Sequence, residues 1–121
     1  MNLEKFRLHC LGKNGATEDF PFDETTLVFR IAGKIFAMTD VEGIPLSFNL
    51  KCDPERSVEL REAYSCITPG YHMDKKHWLT VKPDGSISDK LIYELIDHSY
   101  NLVVQKLKKT DKEKLLKALR V

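Results

Sequence analysis

The side chains best suited to chemistry lie in one stretch, Pro69-Gly70-Tyr71-His72-Met73-Asp74-Lys75-Lys76-His77-Trp78-Leu79. It holds the only tryptophan, two of the four histidines, a tyrosine and a Lys-Lys pair. Pro69-Gly70 opens it with a turn signal, and Trp78-Leu79-Thr80-Val81 closes it as a β-prone run. Such density between structural punctuation marks either a binding loop or the crossing point of a small core.

Three chemistries can be asked of these residues. Structural zinc needs four ligands in closely spaced pairs, because a loop must fold back on one ion. His72 and His77 stand a strand's length apart, and His9-Cys10 are adjacent with diverging side chains, so no metal site is assigned. Nucleophilic catalysis needs a thiol or hydroxyl, a base and an orienting group in one place. Cys66 with His72 or His77 could form a thiol–imidazole pair, but no nucleophile signature surrounds it, and neither paired carboxylates nor a phosphate-cradling glycine loop occurs. The expectation is no catalytic residue and no cofactor. Nucleic-acid binding needs Lys and Arg for phosphates and polar or aromatic groups for bases. Arg30 and Lys34 at one predicted hairpin, and Lys75, Lys76 and His77 at another, meet that need as two basic-tipped wings. The plainer reading is that these lysines only solvate turns, and the balanced charge favours it. Trp78 is read as a core or sheet-face anchor, with stacking on a base as the sharper alternative.

The elements that must position these groups follow from periodicity. Leu3, Phe6, Cys10 and Leu11 have helical spacing, ended by Gly12 and Asn14-Gly15. Residues 17–26 read as a loop in which Phe20-Pro21-Phe22 plugs the core edge. Three strand-like runs follow at 27–31, 35–39 and 46–51, joined by a Gly33-Lys34 turn and by Glu42-Gly43-Ile44-Pro45, which predicts an antiparallel meander. One face of it is apolar and needs helices. The other carries Arg30, Ser47, Asn49 and Lys51 and can meet solvent or a partner. Asp53-Pro54-Glu55 starts a helix running to about Tyr64, and Lys82-Pro83-Asp84-Gly85 is a turn. Ser88 caps a helix striped by Leu91, Ile92, Leu95 and Ile96. The stripe is re-phased near Asp97-His98-Ser99, which predicts a kink or break with Ser99 as a second cap and the Tyr100 hydroxyl bonded to a loop. Thr110-Asp111-Lys112-Glu113 reads as a capping box for a last short helix.

The totals set limits. A chain of 121 residues is one domain by length, residues 1–121, with enough core to need no staples. With 42% hydrophobic and 31% charged residues and a net charge of +1, it has an ordinary globular composition and no overall charge with which to grip nucleic acid. No run approaches the ~18 apolar residues of a membrane span, and the N-terminus lacks signal-peptide features. Three cysteines without a CxxC read as reduced thiols, so a cytoplasmic monomer without membrane attachment is expected.

Five motifs occur in order: Ala16-Thr17-Glu18-Asp19-Phe20-Pro21-Phe22, Gly33-Lys34-Ile35-Phe36-Ala37, Leu50-Lys51-Cys52-Asp53-Pro54-Glu55-Arg56, the stretch from Pro69 to Trp78, and His98-Ser99-Tyr100-Asn101-Leu102-Val103. Together, over about residues 1–109, they resemble the MmcQ/YjbR family of small bacterial proteins, with residues 110–121 as a variable C-terminal helix. Leu79 departs from the polar residue expected after the tryptophan. The resemblance implies an α+β fold, a CyaY-like two-layer sandwich with an antiparallel β-sheet and helices packed on one face. It also implies a double-wing DNA-binding protein. DNA is then the expected partner, with Lys34, Lys75 and Lys76 on phosphate and Arg30, Tyr71, His72, His77 and Trp78 forming or supporting the surface. The alternative is a non-enzymatic protein- or small-ligand-interaction module using the Tyr71–Trp78 surface. Whether Trp78 lines a concave site or is buried separates the two.

Overall fold

The computed structural model describes residues 1–70 and 73–119. Ten elements follow in order: α1 (Leu3–Leu11), β1 (Ala16–Asp19), β2 (Thr26–Ile31), β3 (Lys34–Asp40), β4 (Phe48–Lys51), α2 (Pro54–Ala63), β5 (Ile67–Pro69), β6 (Trp78–Val81), α3 (Asp89–Gln105) and α4 (Lys109–Leu119). The strands form one six-stranded sheet in the order β1-β2-β3-β4-β6-β5, every pairing antiparallel. The α+β expectation and the meander both hold.

Alternation divides the sheet. Phe29, Ala37, Leu50 and Leu79 align across four strands, as do Leu27, Thr39, Phe48 and Val81, and these positions face the helices. The Phe6 ring of α1 stacks on Phe48 at 4.3 Å, and α3 lies against β2, β3 and β4. Leu79 is buried in this layer, which explains an apolar side chain there. A bulge pairs Phe29 with Ala37 but Arg30 with Ile35. The extra residue, Phe36, turns its ring edge-on to Tyr100 of α3 at 5.4 Å. On the opposite face lie Val28, Met38, Asn49, Thr80, Lys51 and Trp78.

Four local expectations are corrected. Residues 16–19 form an edge strand paired with β2, where Glu18 is held by Arg7 of α1 and Asp19 by Arg30 of β2. Phe20 and Phe22 do not plug the core: they are 47% and 65% exposed. The helix does not break near Ser99. Ser99 is itself a core position, its hydroxyl donating to the Phe36 carbonyl and accepting from the Lys51 N–H at 2.9 Å. Counting it as buried restores one unbroken stripe, Ile92, Leu95, Ile96, Ser99, Tyr100 and Val103. Thr110 is not a cap, since α4 already begins at Lys109 and the Lys108 carbonyl accepts from the Asp111 and Lys112 N–H groups. Asp53 and Ser88 do cap α2 and α3, and the Tyr100 hydroxyl bonds to the Asn14 carbonyl in the loop after α1.

Candidate nucleic-acid interface

Register places the two predicted wings. Ile31 pairs with Lys34 to close the β2–β3 hairpin, while Ala37, Leu50, Leu79 and Pro69 are level across the sheet. Moving from Ala37 to Lys34 and from Leu79 to Trp78 is therefore motion toward the same end. The β2–β3 and β5–β6 hairpins both reverse at that end. The first turn sits at Ala32-Gly33, both with positive φ (49° and 79°), one residue earlier than the sequence implies. That geometry suits a two-residue turn between twisted strands, and it sets Lys34 as the exposed first residue of β3.

The second loop is organised by Asp74. One carboxylate oxygen holds His77 Nδ1 at 2.6 Å, and the other accepts the Lys76 N–H at 3.0 Å. Its carbonyl accepts from the Trp78 N–H at 3.0 Å, which leads the chain into β6. The His77 hydrogen bond, with that of Lys76, holds the Asp74 carboxyl below the usual range. This turn leaves Lys75 and Lys76 exposed, and Lys75 lies back over the helix-free face, where it lines a cavity with Asn49, Thr68 and Thr80.

The sequence-predicted residues do not play equal parts. Lys34, Lys75 and Lys76 are exposed at the shared end. Arg30 is committed elsewhere, with Nε 3.0 Å from Asp19 and Nη1 3.1 Å from the Gly33 carbonyl, so it braces the first hairpin. His77 is bound to Asp74, and Trp78 is half-buried on the helix-free face. Tyr71 and His72 lie outside the described residues. Two lysines not singled out at the tips join the group. Lys51 sits with its Nζ 5.6 Å from the Trp78 ring centroid, and Lys106 closes α3 beside the same cleft. Partial burial, then Lys106 and Lys34, pull the Lys51 ammonium below its ordinary range, with Asp74 opposing. Lys34 and Lys106 thus act on Lys51 from two sides, and Asp53 and Asp74 line the same cleft. Lys51 had a signal, since it ends an alternating strand beside Asp53-Pro54. Lys106 had none, because α3's length brings it here.

Other chemistries find less. Among the described residues no three His, Cys, Asp or Glu side chains converge. Cys66 and His77 lie at opposite ends of the β5–β6 ladder, Cys66 beyond the Ile67–Val81 pair and His77 before Trp78. Burial pushes the Cys52 thiol up to about 11, so it is not an activated nucleophile. No helix among the described residues is long and apolar enough to cross a membrane.

Comparison with known proteins bears on the family and the fold. The chain is 41% identical over 120 residues to the uncharacterised protein YbdF of Escherichia coli O157:H7, covering 93% of this chain and 98% of that one. It is 36% identical over 117 residues to the uncharacterised protein YjbR of Escherichia coli K12, covering 96% and 98%. The crystal structure of Deinococcus radiodurans protein DR2400, a DUF419 domain, superposes with a TM-score of 0.89 at 41% identity, covering 94% of this chain and 87% of that one. A Pseudomonas syringae crystal structure gives a TM-score of 0.71 at 31% identity, covering 84% and 98%. With the YjbR family model matching residues 11–102, the chain belongs to the YjbR family.

Proposed function

We propose that this protein binds the DNA backbone, without catalysis, at the sheet end where both hairpin loops emerge. The observation that carries the reading is the shared direction of the two hairpins: exposed Lys34 on one and exposed Lys76 on the other belong to one end of the sheet, with Lys51 and Lys106 in the cleft beside Trp78 and Lys75 on the adjoining helix-free face. Rows of phosphate attract such clusters and release counterions on binding, even when net charge is only +1.

The test is a titration into labelled duplex DNA at several salt concentrations, for wild type and the Lys75→Ala/Lys76→Ala double variant. Each phosphate contact contributes about 0.9 to the slope of log K against log salt, so the double variant should bind more weakly and lose roughly 1.8 of slope. Unchanged affinity and slope would remove these lysines as the contact.

A further inference from the structure

Trp78 is a wall shared by two cavities of different character. On one side lies a cleft of about 440 Å³ whose polar lining includes Lys51, Lys106 and His77 together with the carboxylates of Asp53 and Asp74. On the other, on the helix-free face, lies a groove of about 440 Å³ lined by Ile35, Met38, Phe22 and Asn49. Met38 and Val28 are buried here yet stand apart from the main core, which lies on the opposite face. Among the described residues neither Lys51 nor Lys106 forms an ion pair. Asn49 is oriented by Thr80, whose hydroxyl donates to its carboxamide oxygen at 2.8 Å, so its NH2 is the group left to donate.

From this juxtaposition we propose that the two cavities form one site for a single unstacked nucleotide, with the phosphate on Lys51 and Lys106 and the base in the groove beyond Trp78. Phosphate matches two lysines that form no ion pair, since the carboxylates in the same cleft are engaged elsewhere, Asp53 by the Glu55 N–H and Asp74 by His77 and the Lys76 N–H. A flat, weakly polar ring suits a floor of Met38 and Ile35, because a thioether makes favourable contacts with aromatic rings. The Asn49 amide can meet a base carbonyl or ring nitrogen. A purely apolar ligand would leave the lysines uncompensated, and an inorganic anion would leave the groove unused. A base stacked in a duplex cannot enter, so the ligand is a nucleotide of a single strand or a free mononucleotide. The inference deepens the DNA reading of this sheet end, from which it takes the sign of the ligand's charge.

Trp78, the only tryptophan, reports the site directly by its fluorescence. Thymidine monophosphate and a single-stranded oligothymidylate should each give a saturable change, with thymidine weaker by about tenfold or more for want of the charged contact. Lys51→Ala with Lys106→Ala should weaken the monophosphate by about tenfold or more and thymidine little. Asn49→Ala should weaken both, and unchanged thermal midpoints would show that the variants fold. No response to either nucleotide probe up to about 1 mM, an affinity too weak for a built site, would overturn the proposal. So would an equal response to inorganic phosphate and the monophosphate. Duplex binding without a nucleotide response sinks this inference alone. A nucleotide response without duplex binding sinks the backbone reading and leaves a free-nucleotide site.

Discussion

In the β2–β3 hairpin the chain reverses within Ala32 and Gly33, and the nearby arginine, Arg30, is spent on Asp19 and the Gly33 carbonyl. In the β5–β6 hairpin the strands are joined through residues 70–77, and a single carboxylate, Asp74, binds His77 and the Lys76 amide. The first is a tight wing whose one outward cation, Lys34, is fixed by a strand. The second is a longer wing whose lysines ride on a small turn set by one acid. Basic residues at a hairpin tip are thus not interchangeable. A cation counts toward a polyanion only when no local carboxylate already holds it.

The comparison can be broken at the backbone first. A Cβ at Gly70 would lie 2.7 Å from the Trp78 Cβ and 3.1 Å from its carbonyl oxygen, so Gly70→Ala must push β5 from β6. A loss of about 1–3 kcal/mol, typical of overpacking, is expected in chemical denaturation, with altered Trp78 emission. At Gly33 a Cβ meets nothing within 4 Å, and only its φ of +79° resists substitution. Gly33→Ala should therefore cost less, about 1 kcal/mol.

Charge sharpens the contrast further. Asp74→Asn removes a negative charge beside Lys75 and Lys76, and tighter DNA binding is expected in the same salt titration. The folded-state pKa of Asp74 is depressed, so its stabilising contribution is present above its unfolded value of about 3.9 and is lost as pH falls through the folded value. The variant's denaturation midpoint should then fall less than that of wild type between pH 5 and pH 3. The smallest effect separates the cations of the first wing: Lys34→Gln should reduce the salt slope by about 0.9, and Arg30→Gln by clearly less.

A second titration lies behind the site. The Asp53 N–H at the start of α2 donates to His98 Nε2 at 3.2 Å, and burial, then Arg56, depress the His98 pKa. A histidine whose folded pKa lies below its unfolded value of about 6.5 stabilises fully above that value and loses the contribution as pH falls toward the folded one. Wild type should lose stability on going from pH 7.5 to pH 5, and His98→Gln, which keeps an acceptor, should lose less.

Much of this arrangement was legible in the residues. Asp53-Pro54-Glu55 and Ser88 cap helices by short-range bonding, and the alternation read over residues 46–51 marks a two-sided strand that forms over Phe48–Lys51, without Leu46 and Ser47, so neither needs knowledge of partners. Ser99 misled because a polar side chain at a core position looks like an interruption of the stripe until its partners, the Phe36 carbonyl and the Lys51 N–H, are known. Arg30 carried the same ambiguity: only its pairing with Asp19, eleven residues earlier, shows that its charge is taken. Lys106 reached the site through the unbroken length of α3, a long-range consequence of Ser99 being buried.

The most direct test is amide chemical-shift mapping of the labelled protein during titration with duplex DNA at low salt. Perturbations should concentrate at residues 32–34 and 74–78, extend to Lys51 and Lys106, and spare α1. No perturbation, or one centred on α1, would contradict a backbone-binding edge built from the two hairpin tips.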